Sequence, residues 1–140
     1  MTPLDSRPQK LSGYTVEMPC PCGKIYVTLN FSAEDGLPKE IFGKLGKSGG
    51  CTSCVVSALM RTASYGLRSG ADLGDFIKCW RGMICHRNPA WDNGEMVNSC
   101  VDAVGRAAQE ILEMHEQASG QLPLALEVVS EIPKLRVLAA

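Results

Sequence analysis

Lys24-Ile25-Tyr26-Val27-Thr28-Leu29-Asn30-Phe31 alternates without a break, with Ile25, Val27, Leu29 and Phe31 on one side and Lys24, Tyr26, Thr28 and Asn30 on the other. A period of two is the signature of a strand with one face in a core and the other in water. Upstream, residues 14–18 read as a short strand, joined to the first by the tight Pro19-Cys20-Pro21-Cys22-Gly23 connection. Downstream, Glu34-Asp35-Gly36-Leu37-Pro38 carries turn chemistry and leads into a short, partly apolar segment at residues 40–45. Hairpin logic folds the three into an antiparallel meander. One face of so small a sheet needs a cover.

Three helices supply it. Residues 51–68 place Val55, Val56, Leu59, Met60, Ala63 and Leu67 at spacings of three and four, and Gly70 follows as a stop. A shorter helix over residues 72–81 carries Leu73, Phe76, Ile77 and Trp80 on one stripe, closed by Gly82. The third starts where Ser99 can cap, with Asp102 three residues on in the manner of a capping box. It runs through Val101, Val104, Ala108, Ile111 and Leu112 towards His115 and ends at Ser119-Gly120. The predicted fold class is α+β, a small antiparallel sheet of three or four strands packed against three helices. Residues 1–12 form a loose leader and residues 13–120 a single domain. The apolar tail 121–140, broken by Pro123 and Pro133, has a stretch at 126–129 suited to a sheet edge or a second copy, so a homodimer is expected.

Composition narrows the function classes. The chain has 140 residues, 14 Lys plus Arg against 15 Asp plus Glu, and a net charge of -1. No global basic field holds nucleic acid or an anionic membrane, so any such binding needs a local patch. No window approaches the roughly 20 apolar residues of a membrane span, and residues 1–10 hold no signal-peptide run, which points to a cytoplasmic protein.

Seven cysteines are present. An odd count in a cytosolic chain with an adequate core favours metal binding or thiol chemistry over a disulfide framework. Cys20 and Cys22 sit at the tight connection between strands, Cys51 opens a helix directly after Gly49-Gly50, Cys85 lies in the loop after the second helix, and Cys100 stands at the start of the third. Helix starts favour thiolate over thiol, and turns and helix ends can converge on a tetrahedral thiolate site, zinc being the expected ion and an iron-sulfur cluster the alternative. Cys54 and Cys79, inside amphipathic helices, read as small buried hydrophobes.

Cys22-Gly23-Lys24-Ile25-Tyr26-Val27-Thr28-Leu29-Asn30, then Gly49-Gly50-Cys51, then Arg81-Gly82-Met83-Ile84-Cys85, then Asn98-Ser99-Cys100-Val101-Asp102-Ala103 together resemble the TSCPD domain. This domain occurs C-terminally in adenosylcobalamin-dependent (class II) ribonucleotide reductases and as small stand-alone proteins. The resemblance covers residues 12–112. In the naming motif Asn98 stands for its Thr and Val101 for its Pro, so Ser99, Cys100 and Asp102 carry the match. The pattern selects Cys22, Cys51, Cys85 and Cys100 as metal ligands. It implies an accessory or regulatory role in deoxynucleotide metabolism, with a reductase subunit or a nucleotide as partner. The radical chemistry of the reductase belongs to a much larger barrel, so the chain is not expected to be catalytic alone. The last cysteine is Cys100, which gives no support to a C-terminal electron-shuttling pair.

Other readings stay open beside this one. Cys51-Thr52-Ser53-Cys54 could be a dithiol redox pair, although the usual strand-helix-strand context is missing. Gly46-Lys47-Ser48 copies the end of a phosphate loop whose first glycine should fall at Ile41, so that motif fails. A looser anion site beside the metal would use the amides of Gly49, Gly50, Cys51 and Thr52 with Lys44, Lys47, Arg61 or Arg68 for charge, the basis of a stand-alone nucleotide-binding or nucleotide-sequestering alternative. His86 adjoins Cys85, His115 reads as a surface residue, and Trp91 sits in a turn-rich loop at residues 88–94. No catalytic set of side chains stands out.

Overall fold

A computed structural model of the chain describes residues 6–46 and 50–127, with side chains to residue 119. Lys47, Gly49 and residues 128–140 of the tail, with the predicted edge segment's end at Val129, lie outside the described residues. The chain divides into two compact units, residues 1–109 and residues 110–140. The elements run β1 (Ser12–Cys20), β2 (Gly23–Phe31), β3 (Pro38–Leu45), α1 (Gly50–Arg68), α2 (Leu73–Trp80), β4 (Ala90–Asp92), β5 (Glu95–Val97) and α3 (Cys100–Glu127), the last running through both units. This is the expected α+β class.

In the first unit the meander forms as its alternation requires, an antiparallel sheet in the order β1-β2-β3. Ile25, Val27 and Leu29 are fully buried, and Met18, Phe31, Ile41 and Leu45 join them. The helices add Val56, Met60, Ala63 and Leu67 from α1, Leu73, Ile77 and Trp80 from α2, and Ala103, Val104, Ala107 and Ala108 from the first turns of α3. Burial of this apolar set is the main driving term.

Helix α1 packs against β3, where Gly43 permits the close approach. A Cβ there would stand 3.2 Å from Met60 Cγ and 3.3 Å from Val56 Cγ1. Buried Ser64 of α1 donates its hydroxyl to the Ile41 carbonyl and accepts from the Ile41 N–H, both at 2.9 Å. One side chain thus satisfies both backbone groups that an outer strand would leave open.

Three expectations are corrected. Cys54 and Cys79 are exposed, not buried. At 100° per residue each lies well around its helix from the buried stripe, Cys54 two positions before Val56 and Cys79 two after Ile77. Residues 88–94 are not simply loop, because Trp91 pairs with Met96 and Asp92 with Glu95 in a hairpin. Its Asn93-Gly94 turn has φ of 52° and 82°, the double positive φ of a type I′ turn. Helix α3 does not end at Ser119-Gly120 but continues in the second unit to Glu127. A glycine inside a helix costs only about 1 kcal/mol, so Gly120 need not stop it. No helix among the described residues is long and apolar enough to cross a membrane.

Candidate metal centre

The β1–β2 hairpin closes with Cys20 paired to Gly23, leaving Pro21 and Cys22 as the two turn residues. Gly23 leaves the turn at φ 120°, a conformation that side-chain-bearing residues rarely adopt. This turn places the Cys22 thiol 3.9 Å from the Thr52 hydroxyl in the first turn of α1, and the thiol donates to it.

The start of α3 is fixed by its own sequence. Ser99 is the N-cap, its hydroxyl accepting from the Asp102 N–H at 2.9 Å, while the Ser99 carbonyl accepts the first intrahelical bond from Ala103. The buried Asp102 carboxylate reaches outward in two directions. One oxygen accepts from the Gly82 N–H at 2.8 Å and the other from the Asn98 N–H at 2.9 Å. In a standard capping box the second bond would go to the N-cap N–H, and here it goes one residue earlier. Asp102 thereby ties the exit of α2 to the start of α3, with the Arg81 guanidinium 3.4 Å away. Between these anchors the Cys85 thiol donates to the Asn98 carbonyl at 3.7 Å. Farther along α3, Arg106 pairs with Asp92 at 2.8 Å and Glu95 at 2.6 Å and holds the β4–β5 hairpin.

These anchors bring Cys22, Cys51, Cys85 and Cys100 to the wall of one cavity of about 270 Å³, together with Thr52, His86, Arg87 and Ser99. Cys100 is buried, Cys22 and Cys85 half-buried, and Cys51 exposed at the rim. Buried Cys20 lies behind this wall, and sequence reasoning did not single it out as a partner of Cys100. The Cys100 thiol hydrogen-bonds to the Cys20 sulfur, which lowers the pKa of Cys20 and, with burial, pushes that of Cys100 far up. Burial also raises the Cys22 thiol, its hydrogen bond with Cys100 adds to this, and the nearby Arg87 charge opposes it. The Cys-x-Cys spacing in a tight turn was the only sequence signal for the involvement of Cys20.

Among the described residues predicted for an anion site, Cys51 and Thr52 line this cavity, whereas Lys44, Gly50, Arg61 and Arg68 do not. Lys44 is exposed on β3 opposite Tyr26, Gly50 opens α1 at φ 84°, and Arg61 lines a different groove. His86 faces the cavity, and Trp91 is exposed on the hairpin. Among the described residues no group of three or more His, Cys, Asp or Glu side chains is already arranged to hold a metal ion. Thiols are nevertheless the soft donors that zinc prefers, and the four that share the cavity equal the number a closed tetrahedral site takes.

Fold and site together define a small cysteine-rich α+β module whose helix start and hairpin turn present thiols to one cavity. The TSCPD domain family model matches residues 1–112, and the chain belongs to that family, a ribonucleotide-reductase-related domain. No curated protein and no solved structure matches the chain.

Proposed function

We propose that this chain is a metal-binding accessory or regulatory module that acts with a ribonucleotide reductase subunit in deoxynucleotide metabolism in the cytoplasm. The observation that carries the reading is the convergence of Cys22, Cys51, Cys85 and Cys100 on one cavity from four separate places in the chain. The ligands would be these four thiolates and the ion zinc. An ion would draw the thiols together from their present hydrogen bonds, releasing protons as it binds. Cys20 would then serve as a neighbouring sulfur close to the Cys100 ligand. Four protein ligands leave the ion no open position, so its role is to hold the hairpin turn, α1, the loop after α2 and α3 in place, and not to activate water.

Elemental analysis and an absorption spectrum of protein purified without oxygen test this reading. The expected result is one zinc per chain and no visible bands. Visible sulfur-to-iron absorption would assign an iron-sulfur cluster instead. Serine at Cys22, Cys51, Cys85 or Cys100 should lose the ion, and serine at Cys20, Cys54 or Cys79 should retain it. Full zinc in any of the first four variants would overturn the ligand assignment, and a metal-free wild-type protein would overturn the reading.

A further inference from the structure

A second concavity shares no residue with the thiol cavity. It is a groove of about 630 Å³ between the outer face of β3 and one stripe of α1, within the roughly 300–1,000 Å³ range of small-molecule sites. Its two walls carry different chemistry. On α1, Arg61, Tyr65 and Arg68 follow at spacings of four and three, so they stand on one face of the helix, with the two arginines about 10 Å apart along its axis. On the opposite wall are Phe42 and the Arg7–Glu40 pair, the guanidinium meeting the carboxylate at 2.7 Å and 3.1 Å.

The charge balance favours an anion. Glu40 is also bonded by the Asn30 amide at 2.7 Å, so the one carboxylate lining the groove is already satisfied. Arg61 and Arg68 have no hydrogen bond or close ion pair among the described residues, Arg68 sensing the charge of Glu40 only from a distance, which leaves ten N–H donors, five on each guanidinium, without a protein acceptor. Guanidinium groups match phosphate oxygens two at a time. Between and across from them, Tyr65 is 57% and Phe42 52% exposed, a large outlay of aromatic surface on a small protein. Exposed ring faces beside unpaired arginines are the pair of features that recognises a planar base joined to a phosphate chain.

We infer that the groove between α1 and β3 is a binding site for a nucleoside polyphosphate, with Arg61 and Arg68 on the phosphates and Phe42 and Tyr65 against the base. The site is distinct from the anion site predicted at the start of α1 beside the metal, of which it takes Arg61 and Arg68. It does not depend on the thiol cavity. Stacking on ring faces accepts any base, so selectivity rests on the simultaneous presence of ring and phosphates.

Isothermal titration of the full chain with ATP, adenosine, inorganic triphosphate and a glutamate-rich peptide tests the inference. ATP should bind, with adenosine and triphosphate each at least about tenfold weaker, because each engages only one half of the groove. Arg61→Ala with Arg68→Ala should weaken ATP by about tenfold or more, and Tyr65→Ala should weaken ATP while leaving triphosphate unchanged. Both variants alter exposed or half-buried side chains, and circular dichroism checks that they fold. Cys22→Ser and Lys44→Ala should bind as the parent does. The inference is overturned by the absence of ATP binding at about 1 mM ligand, by full binding in the double arginine variant, by loss of binding in Lys44→Ala alone, or by preference for the acidic peptide.

Discussion

Replacing Asp102 by alanine removes the carboxylate that joins the exit of α2 to the start of α3, and the structure sets the size of the effect. Two backbone donors use its two oxygens separately, Gly82 N–H at 2.8 Å and Asn98 N–H at 2.9 Å. A hydrogen bond to a charged group contributes about 1.5–3 kcal/mol, so the pair spans about 3–6 kcal/mol. Gly82 is exposed and its N–H is rehydrated once the carboxylate is gone, which places the expected loss near the lower end, about 3 kcal/mol. The Arg81 contact at 3.4 Å adds little, because that guanidinium is partly exposed and also donates to the Gln109 side chain. Asp102→Asn keeps one acceptor and turns an amide N–H towards the other donor, so it should lose about half as much. Urea titration of the reduced protein, followed by the fluorescence of buried Trp80, measures both values. Because the same carboxylate fixes the segments that carry Cys85 and Cys100, both thiols should react faster with an alkylating reagent in the alanine variant. An alanine variant within about 0.5 kcal/mol of the parent would refute the reasoning, as would equal losses for alanine and asparagine.

Two further outcomes follow from buried polar groups elsewhere in the first unit. Ser64→Ala leaves the N–H and the carbonyl of fully buried Ile41 without a partner, and urea titration should show a loss of about 2–4 kcal/mol. Burial opposes ionisation of Glu40, but hydrogen bonds from Arg7 and Asn30 outweigh it and hold its carboxyl below the usual range. A group depressed in the folded state stabilises above its unfolded pKa, about 4.3 for Glu, and that contribution is lost as pH falls through the folded value. Glu40→Gln should therefore trail the parent in thermal stability at neutral pH and approach it in acid, and a constant gap at every pH would contradict this.

Legibility in the sequence followed the length of the signal. Residues 24–31 alternate over a full strand, and that regularity located β2, its buried face and the meander around it. The three-residue strands β4 and β5 are too short to establish a period, and only Asn93-Gly94 marks their turn. Cysteine adds a different difficulty, since its burial tendency said buried for Cys54 and Cys79 while their angular positions on α1 and α2 said exposed. Position on the helix decided. Arg61 and Arg68 stood out as charge for an anion, but the groove they line was out of reach, because it exists only once Ser64 and Gly43 set α1 beside β3.

The motif at the start of α3 shows why the candidate site was easier to find than its imperfect match suggests. Ser99 acts through its hydroxyl, Cys100 through its thiol and Asp102 through its carboxylate, and these three side chains are the ones the chain keeps. Asn98, which departs from the pattern, serves mainly through its backbone, its N–H bonding Asp102 at 2.9 Å and its carbonyl accepting from Cys85, while its side-chain amide adds a longer bond to the same Asp102 oxygen at 3.4 Å. Any residue except proline supplies both groups. Val101 departs at the second helical position, where a backbone N–H has no partner within the helix and proline would remove nothing from the ladder. Both substitutions therefore leave the backbone bonds of this helix start intact, and the arrangement that holds Cys85 and Cys100 at the cavity survives them. Cys20 lies outside that logic. It ends a buried strand face and meets Cys100 only through the folding of the hairpin against α3, a relation that no linear spacing encodes.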